Sequence, residues 1–188
     1  PPTGTGLTVP KGSKFADGAN LKGIRLGYVK GNPSVNVKTD ALLAYAGLTR
    51  DDITPVWFGG YGVMKGARLT GKIDGFLMSP YSGITRELEA SPAGIDWVQF
   101  DPKNKEGWVR IQKIAPMYSP LSIDDGAGME KGKPVNIIEF RYPMMTTYAD
   151  RSTEEVYTVT KAMHDAFDLY KDVNATTKNW ILSKSGRT

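Results

Sequence analysis

Between residues 21 and 100 the chain alternates short strand-like and helix-like segments, and this rhythm constrains its fold more than any other feature. Ile24-Arg25-Leu26-Gly27-Tyr28-Val29 alternates as a strand does. After the turn Lys30-Gly31-Asn32-Pro33, a helical pattern runs from Val35 to Ala46 and is closed by Gly47. Thr54 to Phe58 reads as a second strand, Tyr61 to Thr70 as a second helix and Ile73 to Met78 as a third strand. A third helix spans Ser82 to Ala90, stopped by Ser91-Pro92, and a fourth strand spans Ile95 to Phe100. Strands that alternate with helices over short connections predict an α/β fold, with a mainly parallel sheet flanked by helices.

Outside this stretch the pattern changes. Residues 1–20 are rich in Gly, Pro, Ser and Lys and read as a connector, with Leu7-Thr8-Val9 as a short edge strand. Residues 101–134 carry many Gly, Pro and charged residues, with Trp108 and Tyr118 among them, and read as a long excursion rather than another βα unit. Val135 to Tyr148 is strand-like, and Pro143 within it marks an edge or a break. Ser152 and Glu155 then form an S-x-x-E capping box, followed by an apolar stripe of Val156, Val159, Met163, Phe167 and Tyr170 at helical spacing.

Composition removes several classes of function. The 188 residues are 40% hydrophobic, enough to bury a core. The formal net charge of +4 comes from scattered charges of both signs, and the cluster Lys103-Asn104-Lys105 runs straight into Glu106, so no nucleic-acid partner is expected. Cysteine is absent, which excludes disulfides, thiolate nucleophiles and cysteine-based zinc sites. No stretch reaches the ~20 apolar residues that span a bilayer. Pro1 to Gly6 lacks the layout of a signal peptide, so any signal is expected to have been removed.

The motifs that resemble catalytic equipment have simpler explanations. Gly66-Ala67-Arg68-Leu69-Thr70-Gly71-Lys72 fits the first seven positions of a phosphate-binding P-loop, but Ile73 stands where the magnesium-binding hydroxyl belongs. The context is inverted as well, with a helix before the motif and a strand after it. His164 is the only histidine and reads as a helix-surface residue. Asp51-Asp52 and Glu154-Glu155 suit first helical turns, while Asp124-Asp125-Gly126 is turn chemistry without the ligand spacing of a calcium loop. Neither a catalytic cluster nor a metal or cofactor is expected.

Two loops at the C-terminal ends of predicted strands are better candidates, because ligands of open α/β sheets bind outside those ends. The first leads into a helix and carries Ser34 and Asn36, which act either as caps or as donors beside free helix-start amides, with Asn32 a further binding candidate. The second holds Ser79, Tyr81 and Ser82; the serines cap the next helix or line a cleft together with Tyr81. Tyr118 joins Asn32, Ser34, Asn36, Ser79 and Tyr81 as a ligand-binding candidate.

In their order, several segments resemble the TAXI-type solute receptors of tripartite (TRAP) transporters. Leu21-Lys22-Gly23-Ile24-Arg25-Leu26 is similar to that family's entry into its second lobe. Ala41-Leu42-Leu43-Ala44-Tyr45-Ala46-Gly47-Leu48-Thr49-Arg50-Asp51-Asp52-Ile53 resembles its "ALLEAAGLTPDDV" segment, and Lys72-Ile73-Asp74-Gly75-Phe76-Leu77 its "IDAFF" strand. Glu154 to Ala162 is similar to "EDLVYALTKAL". The resemblance covers roughly residues 20–172. It implies a non-enzymatic, monomeric, periplasmic or otherwise extracytoplasmic receptor. Such a receptor captures a small organic acid or amino-acid-like solute between two α/β lobes and delivers it to TRAP transporter membrane subunits. It further implies a connector at 1–20, one α/β lobe at 21–134, a hinge-crossing strand and helix at 135–172, and a truncated tail at 173–188. One departure stands out: where family members carry a "GSGT" helix-start loop, this chain has Asn32-Pro33-Ser34-Val35. A ligand-sensing domain of a signalling system is the alternative reading, and an enzyme on the same sheet is a third.

Overall fold

The central strands of the computed structural model, which describes residues 3–140 and 145–173, are buried on both faces, with successive side chains pointing to opposite sides of the sheet. The strands are β1 (Thr3–Val9), β2 (Arg25–Val29), β3 (Thr54–Phe58), β4 (Gly75–Met78), β5 (Asp96–Trp97), β6 (Ser119–Ile123) and β7 (Val135–Phe140). The helices are α1 (Pro33–Tyr45), α2 (Tyr61–Leu69), α3 (Gly83–Glu89), α4 (Lys105–Ile114), α5 (Thr153–Asp165) and α6 (Phe167–Tyr170). One compact unit spans residues 2–140; α5 and α6 belong to another.

The α/β class expected from the sequence is what the first unit shows. Its seven strands form one mixed sheet in the order β3-β2-β4-β1-β7-β6, with β5 also paired to β1. The ladder β3-β2-β4 is parallel and comprises the first three of the four strands that the alternation predicted; the fourth, β5, pairs antiparallel with β1. β1 lies antiparallel to β4 through Gly6↔Met78 and Thr8↔Phe76, and antiparallel to β7 through Thr5↔Ile138. Leu7-Thr8-Val9 is therefore interior, not an edge strand. Glycine permits this position, because a Cβ on Gly4 or on Gly6 would lie 2.6 Å from the Ile137 side chain.

Side chains leave the sheet on alternate faces, and each face has its own core. Leu7, Leu26, Tyr28, Leu77 and Ile138 pack with Leu42, Tyr45, Trp108 and Ile111 of α1 and α4. Phe76, Met78, Ile137 and Trp97 pack on the opposite side with Met64 and Ala67 of α2 and Leu88 of α3. Within the first core, the Tyr45 ring meets Phe100 and Trp108 edge-on, at centroid distances of 5.2 and 6.1 Å.

Three local outcomes differ from the sequence reading. The excursion at 101–134 contains α4, capped by Asn104, and strand β6. The fourth predicted strand shortens to Asp96–Trp97, although Gln99 still makes an isolated parallel bridge with Asp17. α1 begins two residues early, because Asn32 is the N-cap and Pro33 takes the first helical position, where a missing N–H has no intrahelical role.

In the second unit, α5 carries the expected capping box: Ser152 Oγ accepts from the Glu155 N–H at 3.1 Å, and Glu155 accepts from the Ser152 N–H at 2.9 Å. The stripe is broken at Ala166, after which α6 places the Phe167 and Tyr170 rings edge-on at 5.5 Å. His164 is on the exposed surface beside Asp165. Pro143 lies outside the described residues. No helix among the described residues is long and apolar enough to cross a membrane.

Candidate functional site

The parallel ladder ends at one level. Val29 pairs with Phe58, and the register Leu26↔Gly75, continued along the strands, sets Val29 beside Met78. Three loops leave from this end: β2 to α1, β3 to α2 and β4 to α3. In open α/β sheets ligands bind in the crevice outside the carboxyl ends of the strands, which makes this end the candidate site.

The first loop is held from both sides. The Lys30 N–H donates to the Phe58 carbonyl at 2.8 Å, and Gly31 turns the chain at a φ of 72°, a left-handed conformation that favours glycine. Asn36, 8% exposed, pins the end of β2: Oδ1 accepts from the Val29 N–H at 3.1 Å, and Nδ2 donates to the Val29 carbonyl at 2.9 Å. Its amide is thus committed to backbone. Asn32 Oδ1 accepts from the Val35 N–H at 3.2 Å, leaving Nδ2 without a partner among the described residues. A helix start has unpaired N–H groups; with Pro33 lacking one and Val35 capped, the Ser34 N–H and its exposed hydroxyl remain open to solvent.

The second loop was not singled out from the sequence. α2 starts after Gly59-Gly60, and no side chain caps it. The first-turn amides of Tyr61, Gly62 and Val63 therefore have no capping acceptor, and a Cβ at Gly59, Gly60 or Gly62 would meet nothing within 4 Å. The Tyr61 ring stands 6.4 Å from that of Phe76, and burial pushes its phenol pKa up. An uncapped run with three glycines at a strand-to-helix junction was the signal available in the sequence.

The third loop is tied to its neighbours. Thr5 Oγ1 donates to the Met78 carbonyl at 2.9 Å, and Thr85 Oγ1 donates to the Ser79 carbonyl at 2.7 Å. Ser79 Oγ accepts from the Tyr81 N–H at 3.4 Å, and Ser82 caps α3 by accepting from the Thr85 N–H at 3.2 Å. Tyr81 Oη donates to Asp125 Oδ1 at 2.6 Å. Burial, followed by the hydrogen bond to Asp125, raises the Tyr81 phenol well above its ordinary range.

The structure thus places Asn32, Ser34, Ser79 and Tyr81 on loops from adjacent strands, with Asn36 as the support beneath. Tyr118 stands apart. It precedes β6, three strands from β4 and so ~14 Å away at the spacing of paired strands. Its ring is packed in the α1/α4 core at 6% exposure. The P-loop-like stretch behaves as its context required: Gly66 to Leu69 finish α2, and Gly71 turns the chain toward β4 at a φ of 70°.

Comparison with solved structures gives matches that are distant in sequence. The alkanesulfonate-binding protein SsuA from Xanthomonas axonopodis pv. citri, bound to MOPS, is 18% identical with a TM-score of 0.50, covering 100% of this chain and 52% of that one. The periplasmic aliphatic sulphonate binding protein SsuA from Escherichia coli is 14% identical with a TM-score of 0.48, covering 95% of this chain and 46% of that one. An ancestral arginine-binding protein bound to arginine is 16% identical with a TM-score of 0.48, covering 98% and 61%. The chain thus spans about half the length of the proteins it matches, and the likeness is one of fold. No curated protein sequence matches it. The model of one protein family matches residues 3–186, nearly the whole chain, and on that ground the chain belongs to the NMT1-like family.

Proposed function

We propose that this chain is the solute-binding part of an extracytoplasmic receptor that captures a small organic acid or amino-acid-like solute and passes it to a membrane transporter. The observation that carries this reading is the common end of β2, β3 and β4, where three loops present hydroxyls and helix-start amides without a catalytic constellation. In this reading Ser34, the Asn32 amide, the α2 amides, Ser79 and Tyr81 contact the solute. Asn36 holds the first loop in place, and Tyr118, packed in the α1/α4 core, is left out of the site. Membership of the NMT1-like family and a fold shared with binding proteins support the non-enzymatic class. Coupling to TRAP transporter membrane subunits is the finer part of the proposal, and it rests on the ordered TAXI-like segments around Ala41–Ile53 and Lys72–Leu77.

Isothermal titration of the full-length protein with a panel of small carboxylic acids, sulfonates and amino acids tests the reading. At least one compound should bind with one-to-one stoichiometry, and Ser34→Ala should weaken it. Silence across the panel, or turnover of a compound that Ser34→Ala and Tyr81→Ala abolish, refutes the assignment.

A further inference from the structure

The loop after β4 is not free to choose its polarity, because a strap formed by residues 124–132 is fixed against it. The Ala127 N–H donates to the Pro80 carbonyl at 3.0 Å, and Trp97 Nε1 donates to the Ala127 carbonyl at 2.8 Å. The Gly128 N–H donates to Glu89 Oε1 at 2.7 Å, and the Gly132 N–H to Asp124 Oδ2 at 2.8 Å. Packing is close enough that a Cβ on Gly126 would lie 2.4 Å from Pro80 Cβ. Asp125 is thereby held where it receives the Tyr81 hydroxyl at 2.6 Å.

A carboxylate accepts hydrogen bonds and donates none, and a phenol has a single proton. With that proton given to Asp125, Tyr81 Oη has only lone pairs to offer. Asp125 Oδ2 has no partner among the described residues, and no Lys or Arg there forms an ion pair with Asp125. This corner of the candidate site therefore presents an exposed carboxylate without a cationic partner among the described residues, and acceptors alone. A bare carboxylate or sulfonate placed there meets repulsion, whereas a group bearing N–H donors and positive charge satisfies both oxygens.

We infer that Tyr81 and Asp125 form an amine-selecting corner of the cleft, so that the preferred solute carries a protonated amine beside its acid group. This rests on the solute-binding reading and narrows its substrate class to zwitterions. The raised Tyr81 phenol supports the fixed polarity, since the proton remains on oxygen throughout the physiological range.

The test is isothermal titration of the full-length protein with matched pairs that differ in the amine alone: alanine and propionate, glutamate and glutarate, taurine and ethanesulfonate. For the pair that binds, the aminated member should be favoured by about tenfold or more, the scale of a charge-assisted hydrogen bond. Asp125→Asn still accepts the Tyr81 proton but lacks the charge, and should bring the two members within about threefold of each other. Tyr81→Phe keeps the carboxylate and should retain most of the preference. Equal or tighter binding of the deaminated member to the wild-type protein overturns the inference while leaving the solute-binding reading intact. So does a preference that Asp125→Asn leaves unchanged. Binding by another acid of the wider panel that carries no amine, with every pair silent, likewise overturns the inference alone, whereas silence across the whole panel removes the solute-binding reading and this inference together.

Discussion

Replacing Asn36 with Ala tests whether the first loop is held by its support or by the ladder alone. The wild-type amide makes two bonds to one residue, at 3.1 and 2.9 Å, and both Asn36 and Val29 are buried. In Asn36→Ala the Val29 carbonyl still receives the Asn32 N–H at 3.3 Å, so it is not orphaned. The Val29 N–H is. A buried donor left unmatched costs about 1–3 kcal/mol, and the lost second bond adds about 1 kcal/mol, giving a loss of about 2–4 kcal/mol. With a urea m-value of about 2 kcal/mol/M, the unfolding midpoint should fall by about 1–2 M at unchanged m. Asn36→Asp should do little better, since it accepts from the N–H but turns a charge toward the carbonyl. Urea unfolding followed by circular dichroism gives the answer, and amide exchange at Val29 and Lys30 should quicken in parallel. A loss below about 0.5 kcal/mol would show that the β2 end is held without Asn36 and that its proposed supporting role is wrong.

Other perturbations have equally definite outcomes. Gly75→Ala would set a methyl 2.2 Å from the Thr8 carbonyl oxygen in the adjacent strand, and such a backbone clash should cost about 2–3 kcal/mol, read as a Tm lowered by about 5–10 °C. Gly60→Asp would cap α2, raising stability by about 0.5–1 kcal/mol while occupying its free amides. A more stable protein that binds its solute more weakly is the expected pairing, and unchanged affinity would remove the α2 amides from the site. Asp74 receives the Arg25 guanidinium at 3.0 and 2.5 Å and the Arg25 N–H at 2.8 Å. Burial works against its ionisation, but these bonds prevail and hold its pKa below the ordinary 3.8. A depressed folded-state value contributes stability at higher pH that is lost as pH falls below 3.8 toward the folded value, so Asp74→Asn should flatten the stability profile in that acid window.

How much was legible beforehand depended on how local the cause was. The parallel ladder and its helices follow from side-chain alternation within segments of a dozen residues, and the sequence carried it in full. Only the Leu7–Val9 end of β1 declared itself; Gly4 and Gly6 lower strand propensity in the rest, and their reason for being glycine is Ile137, far along the chain. α4 was obscured in a similar way: Gly107 reads as a breaker, yet it is required by the Tyr45 ring, which would lie 2.6 Å from a Cβ there. Ser34 and Asn36 looked interchangeable as caps, and the cap is neither of them but Asn32. Only the backbone path shows that Asn36 instead reaches back to the strand. The Tyr81–Asp125 pair joins positions 44 residues apart, and no spacing rule connects them.

The central placement of β1 sets the order in which this sheet can assemble. β2, β3 and β4 associate through nearby contacts, but β1 must wait for a partner about 70 residues downstream, with Thr5 and Met78 separated by 73 positions. Its opposite edge is closed along Thr3 to Thr5 only when β7 arrives. Until residues 135–140 have left the ribosome, the emerging chain carries an open strand edge in the middle of its sheet rather than at a rim, where charges or prolines would blunt it. Synthesis that stalls in the 101–134 region should therefore leave an aggregation-prone intermediate, even though most of the hydrophobic core has already been made.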